Sequence, residues 1–179
     1  MPIVVFTGGP GAGKTTVLAE LARLGHATMP DAAREIIAER RRRGLPPRPD
    51  PAAFASDALA RELAAYADGL RCSGWSFHER GVVDAAGLAL ESGVLTPDEA
   101  EALVERHPVH RPVFVFPPWQ AIYRRDDERD QDWDEAVAVH GRIVRWYADC
   151  GYALHQVPCA DPATRARHVL QVLGAFDPH

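Results

Sequence analysis

Short apolar runs alternate with longer stretches of helical periodicity along this chain. Residues 3–7, IVVFT, form a continuous apolar run of the kind found in a strand buried on both faces. A helical pattern follows from 13 to 24, with Val17, Leu18, Leu21 and Leu24 on one face and Gly25 as its stop. HATMP (26–30) reads as a weak second strand. Residues 31–44 predict a helix with Asp31 as N-cap, arginines in the last turns and Gly44 as C-cap. LPPRPDP (45–51) reads as a surface loop, and residues 52–71 then bring Leu59, Leu63, Tyr66 and Leu70 into helical register.

WSFHE (75–79) predicts a third strand. Helices follow at 82–92 and 97–106, the second opened by Thr96-Pro97-Asp98-Glu99. RPVFVF (111–116) is a fourth strand, closed by Pro117-Pro118, and residues 119–130 are dense in charge. Residues 132–150 form an amphipathic helix through Trp133, Val137, His140, Val144 and Tyr147. YALHQVP (152–158) is a fifth strand, and a last helix covers 161–173. This alternation predicts an α/β fold, a five-stranded parallel sheet with helices on both faces and right-handed crossovers. Ligands in such folds sit beyond the carboxyl ends of the strands. Residues 8–15, 31–35, 79–80, 117–129 and 158–161 therefore share one rim, and the four tryptophans are expected mostly in the core.

Composition adds bounds. A chain of 179 residues predicts one domain spanning 1–179, able to bury roughly 70% of its extended surface. Hydrophobic residues at 46% and charged residues at 25% fit a soluble globular protein. The net charge of −5 argues against general nucleic-acid binding, and the arginines at 40–43 read as a solvated helix end. No apolar stretch approaches the ~18 residues of a membrane span, so no membrane partner is expected. The opening MPIVVFTGG lacks the basic region of a signal peptide. Cys72, Cys150 and Cys159 form no CxxC pair, which predicts reduced thiols and a cytoplasmic protein. His107 and His110 flank Pro108 without Cys/His partner spacing, so they read as loop histidines.

One count changes the picture. Lys14 is the sole lysine, every other basic residue of the 20 Lys+Arg is arginine, and there is no asparagine. Lys14 lies in Gly8-Gly9-Pro10-Gly11-Ala12-Gly13-Lys14-Thr15, which matches G-x-x-x-x-G-K-[ST] between an apolar strand and a helix. The glycines let the backbone wrap with its N–H groups aimed at phosphate oxygens, and the helix start adds its positive dipole end. Residues Gly8 to Thr16 are the candidate nucleotide-binding stretch, with Thr15 supplying a hydroxyl for Mg²⁺. A loop wrapped around phosphate has room for a compact ammonium but not for a planar guanidinium. Bias toward arginine stops at Lys14.

The chain is a P-loop NTPase by this motif. A guanine-specific GTPase would carry Asn/Thr-Lys-x-Asp, which a chain with no asparagine and no second lysine cannot form, so ATP is the expected nucleotide. What remains is the kinase-like branch, with an acceptor-side helical insertion at about 31–73 and a lid at about 118–132. Glu79 ends the third strand, where a carboxylate holds Mg²⁺ through water, and Arg80 beside it can clamp a phosphate or acceptor. The plainer reading is a carboxylate capping the next helix. Asp31, with Arg34-Glu35, follows strand two, where a carboxylate can accept the acceptor hydroxyl's proton; a simple N-cap is the alternative. Arg124, Arg125 and Arg129 in YRRDDERDQDWDEA (123–136) are spaced for a lid that closes over the transferring phosphoryl group. A solvated, salt-bridged helix is the alternative. Trp119 is a candidate wall of the acceptor pocket, and Cys159-Ala160 a weaker pointer to the adenine.

The HERG stretch resembles the Asp/Glu-Arg pair of deoxynucleoside and thymidylate kinases. DAARE resembles the carboxylate-x-x-Arg-Glu stretch of nicotinamide riboside kinase domains. The ordered series TGGPGAGKT, DAAR, ERG, YRRDDER and GYALHQVP resembles a family of small proteins labelled AAA-type ATPases or predicted ATPases/kinases, over nearly the whole chain. The chain departs at Asp31, where that family commonly has Glu, and at Glu79, where it commonly has Asp. The resemblance implies an ATP- and Mg²⁺-dependent kinase for a small-molecule, nucleoside-like acceptor, with Arg129 and then Arg125 as lid arginines. If the acceptor already bears a phosphate, Arg34 and Arg80 become its clamp. A nucleotide-state switch that binds partner proteins, and an RNA- or DNA-end kinase, are the rival readings.

Overall fold

The computed structural model of the chain describes residues 2–47, 50–123 and 132–176. Five parallel strands form one sheet: β1 (Ile3–Gly8), β2 (Ala27–Met29), β3 (Ser76–Glu79), β4 (Val113–Phe116) and β5 (Leu154–Gln156), in the spatial order β2-β3-β1-β4-β5. The helices are α1 (Lys14–Arg23), α2 (Ala32–Arg42), α3 (Pro51–Leu70), α4 (Val82–Glu91), α5 (Pro97–Arg106), α6 (Trp133–Asp149) and α7 (Pro162–Phe176), with a 3₁₀ turn at Gln120–Ile122. β1 is central and pairs with β3 through Ile3↔Ser76 to Phe6↔Glu79, and with β4 through Phe6↔Phe114 to Gly8↔Phe116.

Alternation along β1 divides the core in two. Val4 and Phe6 point to one face and pack with Phe77, Phe114 and Phe116 beneath Leu21 of α1 and Val169 of α7. Ile3 and Val5 point to the other, against Tyr66 of α3, Val83 of α4, Leu103 of α5 and Tyr147 of α6. Burial of both faces explains why β1 reads as a continuous apolar run and not as an alternating one. Two caps foreseen in the chain are present: Asp31 accepts from the Arg34 amide at 3.2 Å, and Thr96 with Glu99 forms a capping box.

Some helix faces turn differently from the periodicity. Leu24, Leu70 and Val137, assigned to inner faces, are 49%, 47% and 41% exposed. On α3 the expected Leu59, Leu63 and Tyr66 do pack on the second core cluster, and the fully buried residues are Phe54, Ala55, Ala58, Glu62, Tyr66 and Gly69. Small residues there allow close approach, and a hydropathy pattern undervalues them. Trp75, Trp119, Trp133 and Trp146 are all half-buried; Trp75 and Trp146 pack against the two core clusters, so the expectation of core tryptophans holds only in part. The three cysteines are unbridged. Among the described residues no helix is long and apolar enough to cross a membrane.

Candidate active site

The carboxyl ends of β1, β3 and β4 open on a cavity of about 970 Å³. Its phosphate end is the loop after β1. Gly8 has φ +122°, and a Cβ there would run into the Phe116 carbonyl of β4. Gly11 and Gly13 also lie in the left-handed region, at φ +73° and +82°. Gly13 caps α1 with no side-chain cap bond, leaving the first-turn amides of that helix without a side-chain partner. A Cβ on Gly9 would meet the Ala136 carbonyl of α6 at 2.7 Å, so the loop is pressed against that helix.

Lys14 is buried inside the loop. Its ammonium donates to the Gly9 carbonyl at 2.9 Å and the Gly8 carbonyl at 3.4 Å, and lies 4.0 Å from Glu79. Burial, and then the charge of Arg80, push its pKa down to about 8 despite Glu79. The Thr15 hydroxyl donates to Glu79 Oε2 at 2.8 Å and accepts from Arg34 Nη1 at 2.9 Å. Thr16 turns its hydroxyl back to the Gly13 carbonyl at 2.7 Å. Beyond the loop, Arg165 of α7 donates to the Ala12 carbonyl at 2.9 Å and lies over the rings of Phe116 and Trp119. It is 1% exposed, and its Nε and Nη2 have no hydrogen-bond partner among the described residues.

The opposite end of the cavity is organised by Arg80. It is the one non-glycine residue with positive φ, 69°, among those described. Its Nε donates to Asp31 Oδ2 at 3.1 Å and its Nη1 to Asp84 Oδ1 at 3.2 Å. Asp84 in turn accepts from the Thr7 hydroxyl at 2.6 Å and from the Tyr147 hydroxyl at 2.5 Å. Burial works against the Arg80 charge, but Asp31, Asp84 and Glu79 outweigh it and raise its pKa. Glu62 of α3 stands beside this cluster and accepts from the Ala32 amide at 3.3 Å. Burial, and then repulsion from Asp31, push its pKa up to about 8.

These residues fit a nucleotide and a divalent cation. The left-handed glycines make a concave loop that side chains would fill, and Lys14 presents a desolvated cation to it. Thr15 and Glu79 place a hydroxyl and a carboxylate 2.8 Å apart at the loop's edge. That is a sparse donor set, as suits Mg²⁺, which takes its remaining ligands from phosphate oxygens and water.

A family model described as an AAA domain matches residues 3–165. The chain belongs to that family. No curated protein matches the sequence significantly. The fold of this AAA domain is similar to that of NadR in complex with NR, at 18% identity and TM-score 0.71 over 97% of this chain. It covers 51% of the NadR chain, and so spans about half the length of that protein. A deoxyadenosine kinase from M. mycoides with products dCMP and dCDP is similar at 12% identity and TM-score 0.66, over 97% of this chain and 99% of that one. Shikimate kinase from Acinetobacter baumannii with shikimate is similar at 16% identity and TM-score 0.56, over 100% and 96%. The AAA domain described here is thus a small α/β P-loop protein of the kinase-like fold.

The residues singled out in the sequence of this AAA domain converge on the cavity. Pro10 to Thr16, Asp31, Arg34, Glu79 and Arg80 all line it, as do Trp119 and Ala160. Glu79 does not cap α4, whose N-cap is Gly81; it faces Thr15. Asp31 both caps α2 and holds Arg80, so its two readings coexist. Arg34, read as an acceptor ligand, reaches Thr15 at the junction of the two ends. Arg124, Arg125 and Arg129, and most of the lid at 118–132, lie outside the described residues. The segment 45–75 supplies Pro51, Phe54, Ala58 and Glu62, but α4 and α6 build the facing wall with Leu88 and Trp146. Glu62, Asp84 and Arg165 carry no motif. Glu62 alone had a signal, a carboxylate at i+4 from Ala58 and i+8 from Phe54 on a helix face of small and apolar residues.

Proposed function

We propose that this protein is an ATP- and Mg²⁺-dependent kinase that moves the γ-phosphate to a hydroxylated, nucleoside-like small molecule. One observation carries the reading: the phosphate loop and the Asp31–Arg80–Asp84 cluster open on the same cavity, with a mainly apolar chamber beyond them. A protein that only hydrolyses nucleotide has no need of that chamber. The NR, dCMP, dCDP and shikimate bound in the similar structures support the same class of acceptor.

In this reading Lys14 and the amides of residues 9–16 hold the β- and γ-phosphates. Thr15 and Glu79 hold Mg²⁺, which when bound neutralises charge on the phosphate oxygens. Asp31 takes the proton of the acceptor hydroxyl as its oxygen bonds to the γ-phosphorus and the bond from phosphorus to ADP breaks. Arg80, held by Asp31 and Asp84, keeps the Asp31 carboxylate aimed at the acceptor. Arg129, with Arg125, closes over the γ-phosphate from the lid. The rim formed by Trp119, Ile122 and Pro162 takes the base of the nucleotide.

The test is ATP consumption by the purified protein against nucleosides, nucleotides and hydroxylated metabolites. Acceptor-dependent ADP release with a phosphorylated product is the expected result. Slow hydrolysis that no acceptor accelerates, with ATP still bound, would replace the kinase by a nucleotide-state switch. Salt-sensitive phosphorylation of oligonucleotide ends would point to a nucleic-acid kinase.

A further inference from the structure

Two arginines are buried at the two ends of one cavity, and only one of them is neutralised. Arg80, at the acceptor end, is flanked by Asp31 and Asp84 at 3.1 and 3.2 Å. Arg142, which lines the same cavity, pairs with Glu91 at 3.4 Å. Arg165 lines the nucleotide end, is 1% exposed, and meets no carboxylate among the described residues. Burial pushes its pKa down, and the Cys159 thiol is the one group opposing that shift. A guanidinium stays charged even so, and a buried charge without a partner is strongly unfavourable until an anion completes it.

The Arg165 guanidinium is fixed from several sides. Its carbon lies 4.6 Å from the centre of the Phe116 ring and 5.6 Å from that of Trp119. Its Nη1 donates to the Ala12 carbonyl at 2.9 Å, and a Cβ on Gly13 would come within 2.6 Å of the same nitrogen. What remains is the edge formed by Nε and Nη2, whose N–H donors have no partner among the described residues. Such an edge matches two oxygens of one phosphate group. It belongs to a guanidinium seated beside the first turn of α1, whose amides also lack a side-chain cap.

Neighbours along the loop identify which phosphate this is. Lys14 turns toward Glu79 and, with it, Thr15, the side of the β- and γ-phosphates. Arg165 has other company, since the same Cβ on Gly13 would also meet Ile122 at 3.1 Å and the Thr16 hydroxyl at 3.5 Å. Ile122 belongs with Trp119 and Pro162 to the rim proposed for the base. The phosphate between that rim and the loop is the one that carries the ribose.

We infer that Arg165 is a nucleotide-binding residue whose Nε–Nη2 edge takes the α-phosphate, while its Nη1 holds the loop in shape through Ala12. The inference rests on the nucleotide half of the kinase reading and needs no particular acceptor. The α-phosphate keeps its charge while the γ-phosphoryl group moves, so this contact serves ground state and transition state alike. Its loss therefore raises the KM of ATP and leaves kcat nearly unchanged. Lys14 differs, because it acts where charge shifts during transfer.

The experiment measures binding of ADP, and of an ADP analogue with a methyl group in place of one non-bridging α-phosphate oxygen, to wild type and Arg165→Met by calorimetry with Mg²⁺ present. The methyl group is expected to weaken binding to the wild type at least about tenfold more than binding to the variant. Equal penalties in the two proteins overturn the inference, because a merely reshaped loop weakens both ligands alike. Arg165→Lys carries the same comparison if the methionine variant does not fold, since it keeps the charge without the paired donors. A large loss of kcat with the KM of ATP unchanged also overturns the inference, placing Arg165 in the transfer step. A wild-type protein that binds neither ADP nor ATP removes the kinase reading itself, and this inference with it.

Discussion

Arg80 Nε donates to Asp31 Oδ2 at 3.1 Å across 49 residues of sequence, tying the end of β3 to the start of α2. The pair is what makes the third strand and the acceptor-side helices one site. Asp31→Asn keeps an oxygen for the Arg34 amide and so keeps the helix cap, but it removes the proton acceptor. Turnover should fall on the order of 100-fold or more, and the melting temperature should fall modestly because Arg80 keeps Asp84 but loses the Asp31 carboxylate. Steady-state kinetics beside a thermal melt decide it, and activity within threefold of wild type would remove Asp31 from the chemistry.

Lys14→Arg should be nearly as harmful as Lys14→Ala. The ammonium sits inside the loop on two carbonyls, 2.9 and 3.4 Å away, where a guanidinium cannot fold without displacing the backbone. A loss on the order of 100-fold or more in kcat/KM is expected for both, measured with ATP as the varied substrate. An active arginine variant would contradict the steric account.

Binding of ATP at pH 8.5 should take up a proton. Burial lowers the Lys14 pKa to about 8, so the free protein holds much of Lys14 neutral at that pH, and phosphate charge draws the proton back. The sign for folding follows from the same shift. Between about pH 8 and the ordinary value of 10.5 the unfolded chain binds more protons, so this group adds stability to the nucleotide-free protein as pH rises through that window. Calorimetric titration in two buffers of different ionisation enthalpy reads the uptake directly. Equal heats in both buffers at pH 8.5 would show that no proton moves.

Glu62→Gln should stabilise the protein, and more so at high pH. The folded pKa of Glu62 is raised from 4.5 to about 8, so between those values the folded state keeps a proton that the unfolded state has lost. Stability from this group is whole below pH 4.5 and declines as pH rises, by up to about 1.4 kcal/mol per pH unit. Glutamine has no such proton. The difference in melting temperature between variant and wild type should therefore widen from pH 5 to pH 8. A constant difference would mean that Glu62 is ionised in the folded protein.

The strand pattern, the phosphate loop and the carboxylates at strand ends were legible because each is a local property. An apolar run before G-x-x-x-x-G-K-T already contains the strand, the turn and the helix start. Asp84 was not legible, since an acidic residue in a helix's first turn ordinarily serves the helix dipole. Its role arises only when Thr7, Arg80 and Tyr147 arrive from three other elements. Arg165 belongs to the same class, because its partner Ala12 lies 153 residues away. On α3 hydropathy found Leu59, Leu63 and Tyr66 but overreached to the exposed Leu70, and it passed over alanine and glycine at 55, 58 and 69, which are buried without being strongly apolar.

The solitary lysine also makes the molecule its own chemical reporter. No other side chain carries a primary amine, and this one sits within the nucleotide loop with its basicity reduced to the point where the reactive free amine exists near neutral pH. An amine-directed probe small enough to enter the cavity therefore meets a single side-chain target. Protection of that target by a bound nucleotide turns covalent labelling into a direct gauge of how full the loop is.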